Sequence, residues 1–285
     1  MSEHTTTTLV PRAAVCGGGG VAGLAWMVGY LHGATVSGIP LRSADLVIGT
    51  SAGAVAATLL RSTGGLPTAF RRLSNEDDLP FEAPPPSAGF ATAAPKILAE
   101  TTNPGAYARA FLDLSLTVPA TEPVMEARLG TLKERVGTTR WTAGDLRITT
   151  LSHRTAERRV LTRDSGVGLL TALAASCAVP GVWPAVPLPD GDLGVDAGPL
   201  SATHADLAQD AERVLVLRPV PNLQGDLAAE TDVLERALIV EPTHPLEGPT
   251  DRDPRVTACL AGFAQALTQT DLLRSAWSTE ATSTP

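Results

Sequence analysis

Four consecutive glycines, Gly17 to Gly20, divide an otherwise apolar segment: Ala13-Ala14-Val15-Cys16 precedes them and Val21 to Leu31 follows. From Ala13 to Leu41 there is no Lys, Arg, Asp or Glu, which on length alone would let the segment span a bilayer. The glycines forbid one continuous helix, because each costs roughly 1 kcal/mol relative to alanine in a helix interior. The segment must instead divide into a short buried strand over Arg12 to Cys16, a loop at Gly17 to Gly20 and a helix over Val21 to Leu31.

The same order follows at once. Asp45 to Ile48 reads as a second buried strand, Gly49-Thr50-Ser51-Ala52-Gly53 as a tight turn, and the Ala-rich run to about Leu60 as a helix. Two strand–loop–helix units in succession start a parallel sheet, and the loops after its strands gather along one edge. The expected fold class is α/β, a three-layer α/β/α arrangement with a mainly parallel central sheet. Both unusual loops are then expected side by side.

Downstream, Leu146 to Ser152 and Arg159 to Thr162 suggest a hairpin, Val167 to Ser176 a helix, Asp190-Gly191 a turn, and Leu193 to Val195 a strand ending at Asp196. Val214 to Leu217 reads as another buried strand, with closing helices over Asp232 to Ile239 and Val256 to Leu273. The pattern loosens over residues 64–140, where Pro84-Pro85-Pro86 precedes helices near Lys96 to Leu112 and Glu122 to Val136; such a segment reads as a lid or insertion. No motif is repeated. The organisation expected is a disordered tail at 1–11, one domain at 12–277 carrying the 64–140 insertion, and a disordered tail at 278–285.

A net charge of −8 excludes a nucleic-acid binder, which needs a surplus of cations on one face. The nearest basic clusters, Arg71-Arg72 and Arg158-Arg159, are too short for an anionic-lipid patch. Three scattered cysteines, Cys16, Cys177 and Cys259, argue against a disulfide framework or a Cys-based metal site, and for a reducing, cytoplasmic setting. Met1 to Arg12 is polar and lacks the basic-then-apolar order of a signal peptide. Neither a metal nor a cofactor is expected. At 4% aromatic residues, anchors for peripheral membrane contact are few.

Gly49-Thr50-Ser51-Ala52-Gly53 fits G-x-S-x-G, in which small residues let a strained strand-to-helix turn expose a serine hydroxyl; a plain packed turn is the alternative. Gly18-Gly19-Gly20-Val21-Ala22-Gly23 fits G-x-G-x-x-G. A dinucleotide turn would want an acidic residue at the end of the next strand, and Asp45 stands at its beginning. A P-loop is excluded, since no Gly-Lys-Ser/Thr follows. Backbone N–H groups aimed at developing negative charge remain, as in an oxyanion hole, or else a flexible turn. A serine usually takes a histidine as base, and of His4, His32, His153, His204 and His244 only His204 lies near the later motifs, where a helix-start or surface role also fits it.

Taken together these blocks resemble the patatin-like phospholipase family: the glycine loop at Gly17 to Gly23, Gly49 to Gly53, Ala175-Ser176-Cys177-Ala178-Val179-Pro180 and Asp196-Ala197-Gly198 occur in the family's order. The resemblance implies a patatin-like fold and a serine acyl hydrolase that cleaves lipid or other acyl esters through a Ser–Asp dyad and an acyl-enzyme. It implies Ser51 as nucleophile, Asp196 as general base and acid, and Gly18, Gly19 and Gly20 lining the oxyanion hole, with Gly23, Gly49, Gly53, Ala197 and Gly198 supporting the motifs. Two positions depart from the family's usual pattern. Ala22 stands where a cation is common, which weakens the case for a phosphate head group, and Ala197 stands where glycine is common. Carboxylesterase or thioesterase action on soluble esters, a silent lipid- or partner-binding member, and a nucleotide-binding module are the competing readings.

Overall fold

The computed structural model describes residues 11–78, 88–246 and 253–277. Strand β1 (Arg12–Cys16) leads into helix α1 (Gly20–Val36), and β2 (Leu46–Thr50) into α2 (Ala52–Arg61). Four helices follow: α3 (Gly65–Leu73), α4 (Ala88–Glu100), α5 (Pro104–Ser115) and α6 (Glu122–Val136). Then come β3 (Asp145–Ser152), β4 (Arg158–Leu161), α7 (Leu169–Ser176), β5 (Val186–Pro187) and β6 (Leu193–Val195). The chain continues through β7 (Arg213–Leu217), α8 (Thr231–Arg236), β8 (Leu238–Val240), α9 (Pro254–Thr268) and α10 (Thr270–Ala276).

The sheet runs β5-β6-β3-β2-β1-β7-β8, with β4 paired to β3. Strands β3, β2, β1, β7 and β8 are mutually parallel, while β4, β5 and β6 pair antiparallel at one side. The period of two along each strand divides the core. Ala14, Cys16, Val47, Leu215 and Leu217 face the cluster built with α1, α2 and α9. Ala13, Val15, Ile48, Val214 and Val216 face the opposite cluster, completed by Ala205, Ala208 and Val233. Strands buried on both faces need continuous apolar runs, which is what β1, β2 and β7 contain.

The charge-free stretch that could have suited a bilayer is accounted for by protein burial. Trp26, Met27, Tyr30 and Leu31 on α1 are fully buried, each worth about 1.5–3 kcal/mol of transfer free energy. Its polar tips are met by α9 and the residue after it: Trp26 Nε1 donates to Gln265 Oε1 at 3.1 Å and Tyr30 Oη to Gln269 Oε1 at 2.8 Å. Among the described residues no helix is long and apolar enough to cross a membrane. Cys16, Cys177 and Cys259 are free and buried.

Three element expectations are corrected, the first being the closing helix expected over Val256 to Leu273, which divides at Gln269 into α9 and α10. The helix expected over Lys96 to Leu112 is two helices, α4 and α5, because Asn103 accepts the Ala106 N–H at 2.9 Å as a cap and Pro104 opens the next helix. The helix expected over Asp232 to Ile239 ends at Arg236, and Leu238-Ile239-Val240 adds a parallel strand beside β7, as β-branched residues favour. Within 64–140, α3 and α6 send Leu66, Leu73, Leu132 and Val136 into the main core. The tails at 1–10 and 278–285, and Pro84-Pro85-Pro86, lie outside the described residues.

Candidate functional site

Parallel pairing of Cys16 with Gly49 brings the ends of β1 and β2 level, so the glycine loop and the Ser51 turn leave the sheet as neighbours. A Cβ on Gly18 would lie 3.6 Å from Ser51 Cβ. The third element arrives through strand register. Thr50 pairs with Thr149 and Val195 with Leu151, so the next residue on each strand, Ser51 and Asp196, comes level with Thr150. Thr150 Oγ1 fixes that approach by donating to the Val195 carbonyl at 2.7 Å.

Ser51 has φ 54° and ψ −124°, a strained conformation for a non-glycine residue that costs on the order of 1–3 kcal/mol. Its surroundings hold it there: its N–H donates to Ser176 Oγ at 2.9 Å. The flanking glycines have a steric reason, since a Cβ on Gly53 would stand 1.9 Å from the Cys16 carbonyl oxygen and one on Gly49 2.5 Å from Ala54 Cα. The Ser51 hydroxyl donates to Asp196 Oδ2 at 2.5 Å, while Asp196 Oδ1 accepts the Gly198 N–H at 2.8 Å. Both residues are buried, Ser51 at 8% exposure and Asp196 at 3%.

Burial raises the Asp196 carboxyl to about 6, against the Ser51 and Gly198 hydrogen bonds and the charge of Arg128, which pull it down. The carboxylate is therefore ionised at neutral pH yet basic enough to accept a proton. Arg128 reaches the site from α6, its guanidinium 4.1 Å from the Trp183 ring centroid and Nη2 donating to the Cys177 carbonyl at 3.4 Å.

Of the loop glycines, Gly18 lines the site but gives its N–H to the Ala202 carbonyl at 2.8 Å, as Gly17 does to Leu217 at 2.8 Å. Gly19 and Gly20 stand at the N-terminus of α1, where the first backbone N–H groups of a helix have no partner within it. Ala197 is not among the residues with positive φ, so the missing glycine there carries no backbone penalty.

His204 stands apart from this arrangement. It is fully buried, N-caps the short helix at Ala205–Ala208 with φ 52°, and places Nε2 3.2 Å from the Ala197 carbonyl and Nδ1 3.3 Å from Arg158 Nη1. Both contacts are satisfied by the neutral tautomer protonated at Nε2, and burial lowers its pKa to about 3. A surface role is excluded by that burial and a helix-start role is present. His32 on α1 stacks on Phe70 and Phe263 instead.

The cavity over Ser51 and Asp196 has a volume of about 400 Å³. Its walls are mostly apolar: Tyr107 and Phe111 from α5, Val179 and Pro180 after α7, Leu200, and Val220 and Leu223 after β7. Tyr107 and Phe111 meet edge to face at 4.8 Å between centroids. Among the described residues no Lys, Arg or His lines it. Among the described residues no cluster of His, Cys, Asp and Glu could hold a metal. Such a site can deprotonate a serine hydroxyl, stabilise an oxyanion and receive an apolar chain.

Sequence reasoning passed over Ser176, Arg128 and the residue 220–225 wall. Ser176 was legible inside the Ala175-to-Pro180 block, but Arg128 sits on a helix whose approach to Asp196 only the tertiary structure reveals.

Compared with known families, residues 14–208 match the model described as Patatin-like phospholipase. No curated protein matches the chain. Among solved structures it is similar to VipD from Legionella pneumophila, with TM-score 0.47 and 12% identity over 94% of this chain and 67% of that one. It is also similar to the type III effector protein ExoU, with TM-score 0.44 and 17% identity, covering 94% of this chain and 54% of that one.

Proposed function

Since the chain belongs to the patatin-like phospholipase family, we propose that it is a serine acyl hydrolase in which Ser51 is the nucleophile and Asp196 the general base. The observation that carries this reading is the 2.5 Å hydrogen bond from the Ser51 hydroxyl to a buried carboxylate whose pKa is raised to about 6. Asp196 takes the Ser51 proton as Oγ attacks the ester carbonyl, and the Gly19 and Gly20 N–H groups stabilise the tetrahedral oxyanion. Collapse expels the alcohol with the proton from Asp196 and leaves an acyl-enzyme; water, deprotonated by Asp196, then releases the acid. The apolar wall suits an acyl chain, and Pro104, Tyr107 and Phe111 make α5 the part of the 64–140 insertion that lines it.

Within this reading a neutral or soluble acyl ester has a specific point in its favour over a phospholipid: among the described residues the cavity offers no cation to a phosphate, as Ala22 in the glycine loop already suggested. The test is labelling with a fluorophosphonate probe, followed by peptide mapping and by hydrolysis of short-chain esters and of phosphatidylcholine. An adduct on Ser51 that is absent from Ser51→Ala is expected. A folded protein that neither labels nor hydrolyses either ester would count against the proposal and favour a silent binding member.

A further inference from the structure

The far end of α2 opens on a second concavity, unrelated to the ester site. A groove of about 810 Å³ is lined by the end of α2 (Arg61), the turn into α3 (Ser62 to Gly65 and Thr68), the end of α6 with its following loop (Glu134 to Ala143), Arg42 and Arg163. At 1.5 Å per residue, α2 puts it about 15 Å from Ser51. Its size is that of a small-molecule site.

In a chain of net charge −8, the charge of this groove is reversed. Among the described residues, Arg42, Arg61, Arg135, Arg140 and Arg163 line it, against one carboxylate, Glu134, which is held by Arg72 at 2.5 Å. Arg42, Arg61, Arg140 and Arg163 have no carboxylate partner among the described residues. Arg42 donates to Thr63 Oγ1 and Arg163 to the Thr142 carbonyl, while Arg140 has no side-chain partner among the described residues. Arg61, only 8% exposed, donates to the carbonyls of Arg42, Asp45 and Asp145, and its buried Nε meets no acceptor among the described residues. The carboxylates nearest to it are engaged elsewhere, Asp45 by the Arg12 N–H and Asp145 by Arg147. Thr63, Thr68 and Thr138 add hydroxyls along the same wall.

Uncompensated guanidinium groups converging on a concave, hydroxyl-lined surface call for a ligand that brings several acceptor oxygens and negative charge. We infer that this groove binds a phosphorylated ligand, a pyrophosphate or phosphomonoester group held by Arg42, Arg140 and Arg163 against the Gly64–Gly65 turn. Two sources carry such a phosphate, a soluble phosphorylated molecule and a phosphomonoester lipid head group, and the concave shape fits both.

The inference is independent of the ester chemistry and is tested separately. Calorimetric titration of the full chain with inorganic pyrophosphate should show saturable binding that weakens with added salt. The double variant Arg140→Ala/Arg163→Ala, which changes two exposed side chains, should bind at least about 10-fold more weakly, equivalent to about 1.4 kcal/mol. Thr68→Glu, an exposed change that adds a negative charge to the groove, should act in the same direction. A parallel arm measures sedimentation of Ser51→Ala with phosphatidylcholine vesicles doped with phosphatidic acid; binding there alone, lost in the arginine variants, supports the head-group source. An unchanged circular dichroism spectrum and a cooperative thermal melt of each variant show that it is folded. The inference is overturned if folded wild-type protein binds neither probe, or if all variants bind as the wild type does.

Discussion

The Ser51 hydroxyl donates to Asp196 Oδ2 at 2.5 Å, and among the described residues no histidine stands on the wall of the cavity they share. Asp196→Asn should therefore remove turnover nearly as completely as Ser51→Ala, by about 10²–10⁴-fold or more in kcat/KM for a chromogenic ester. Because the free-enzyme carboxyl sits at about 6, kcat/KM should climb with pH through about that value and level off above it. A pH profile with its acid limb well above neutrality would point to another base.

Asp196 should also tax the fold, and the direction follows from linkage. Its carboxyl is raised from an ordinary 3.8 to about 6, so folding favours the protonated form. Its contribution to stability is complete below the unfolded value and is lost as pH rises through the folded one. Above that, holding the charge in the interior costs about 3 kcal/mol. Asp196→Asn has nothing to titrate and should melt roughly 5 °C or more above wild type at neutral pH, the gap closing as the buffer is taken below about pH 4. Thermal melts across pH measure this; a gap that does not change with pH would remove the burial argument.

For His204 the expected loss is stability rather than catalysis. Its pKa is lowered from 6.5 to about 3, so the folded protein keeps it neutral; the stability it contributes is present above the unfolded value and is lost as pH falls toward the folded one. His204→Asn tolerates the left-handed backbone at φ 52°. It should keep ester turnover per folded molecule within a few-fold of wild type while lowering Tm, least so in acid. A folded His204→Asn protein with no turnover would show that a triad operates.

How much of this was legible before the structure depends on how local each feature is. The two strand–loop–helix units were readable because Gly17 to Gly20 and Gly49 to Gly53 punctuate apolar runs over a few residues, and the neighbouring loops followed from parallel pairing. Asp196 was placed by resemblance alone; its approach to Ser51 depends on the antiparallel pairing of β6 with β3, which no local pattern encodes. The hydrogen bond from the Gly18 N–H to the Ala202 carbonyl was not legible, because that acceptor is remote in sequence. Leu238 and Ile239 read as a helix end because a short apolar run satisfies either period, and only the open edge of β7 decides for a strand.

Arg128 gives the sharpest test of how the site is tuned. Its guanidinium is stacked on Trp183 at 4.1 Å, and its charge lowers the Asp196 pKa that burial raises. Arg128→Met removes the charge while keeping an unbranched chain against the ring, so the Asp196 carboxyl should move further up. The acid limb of kcat/KM should then shift by about 0.5–1 pH unit toward neutrality, with activity at high pH largely retained. Arg128→Lys, which keeps the charge but not the planar stack, should leave the limb near its wild-type position. If instead the limb stays fixed in Arg128→Met and only the plateau falls, Arg128 serves by packing α6 against Trp183 and not through its field at Asp196.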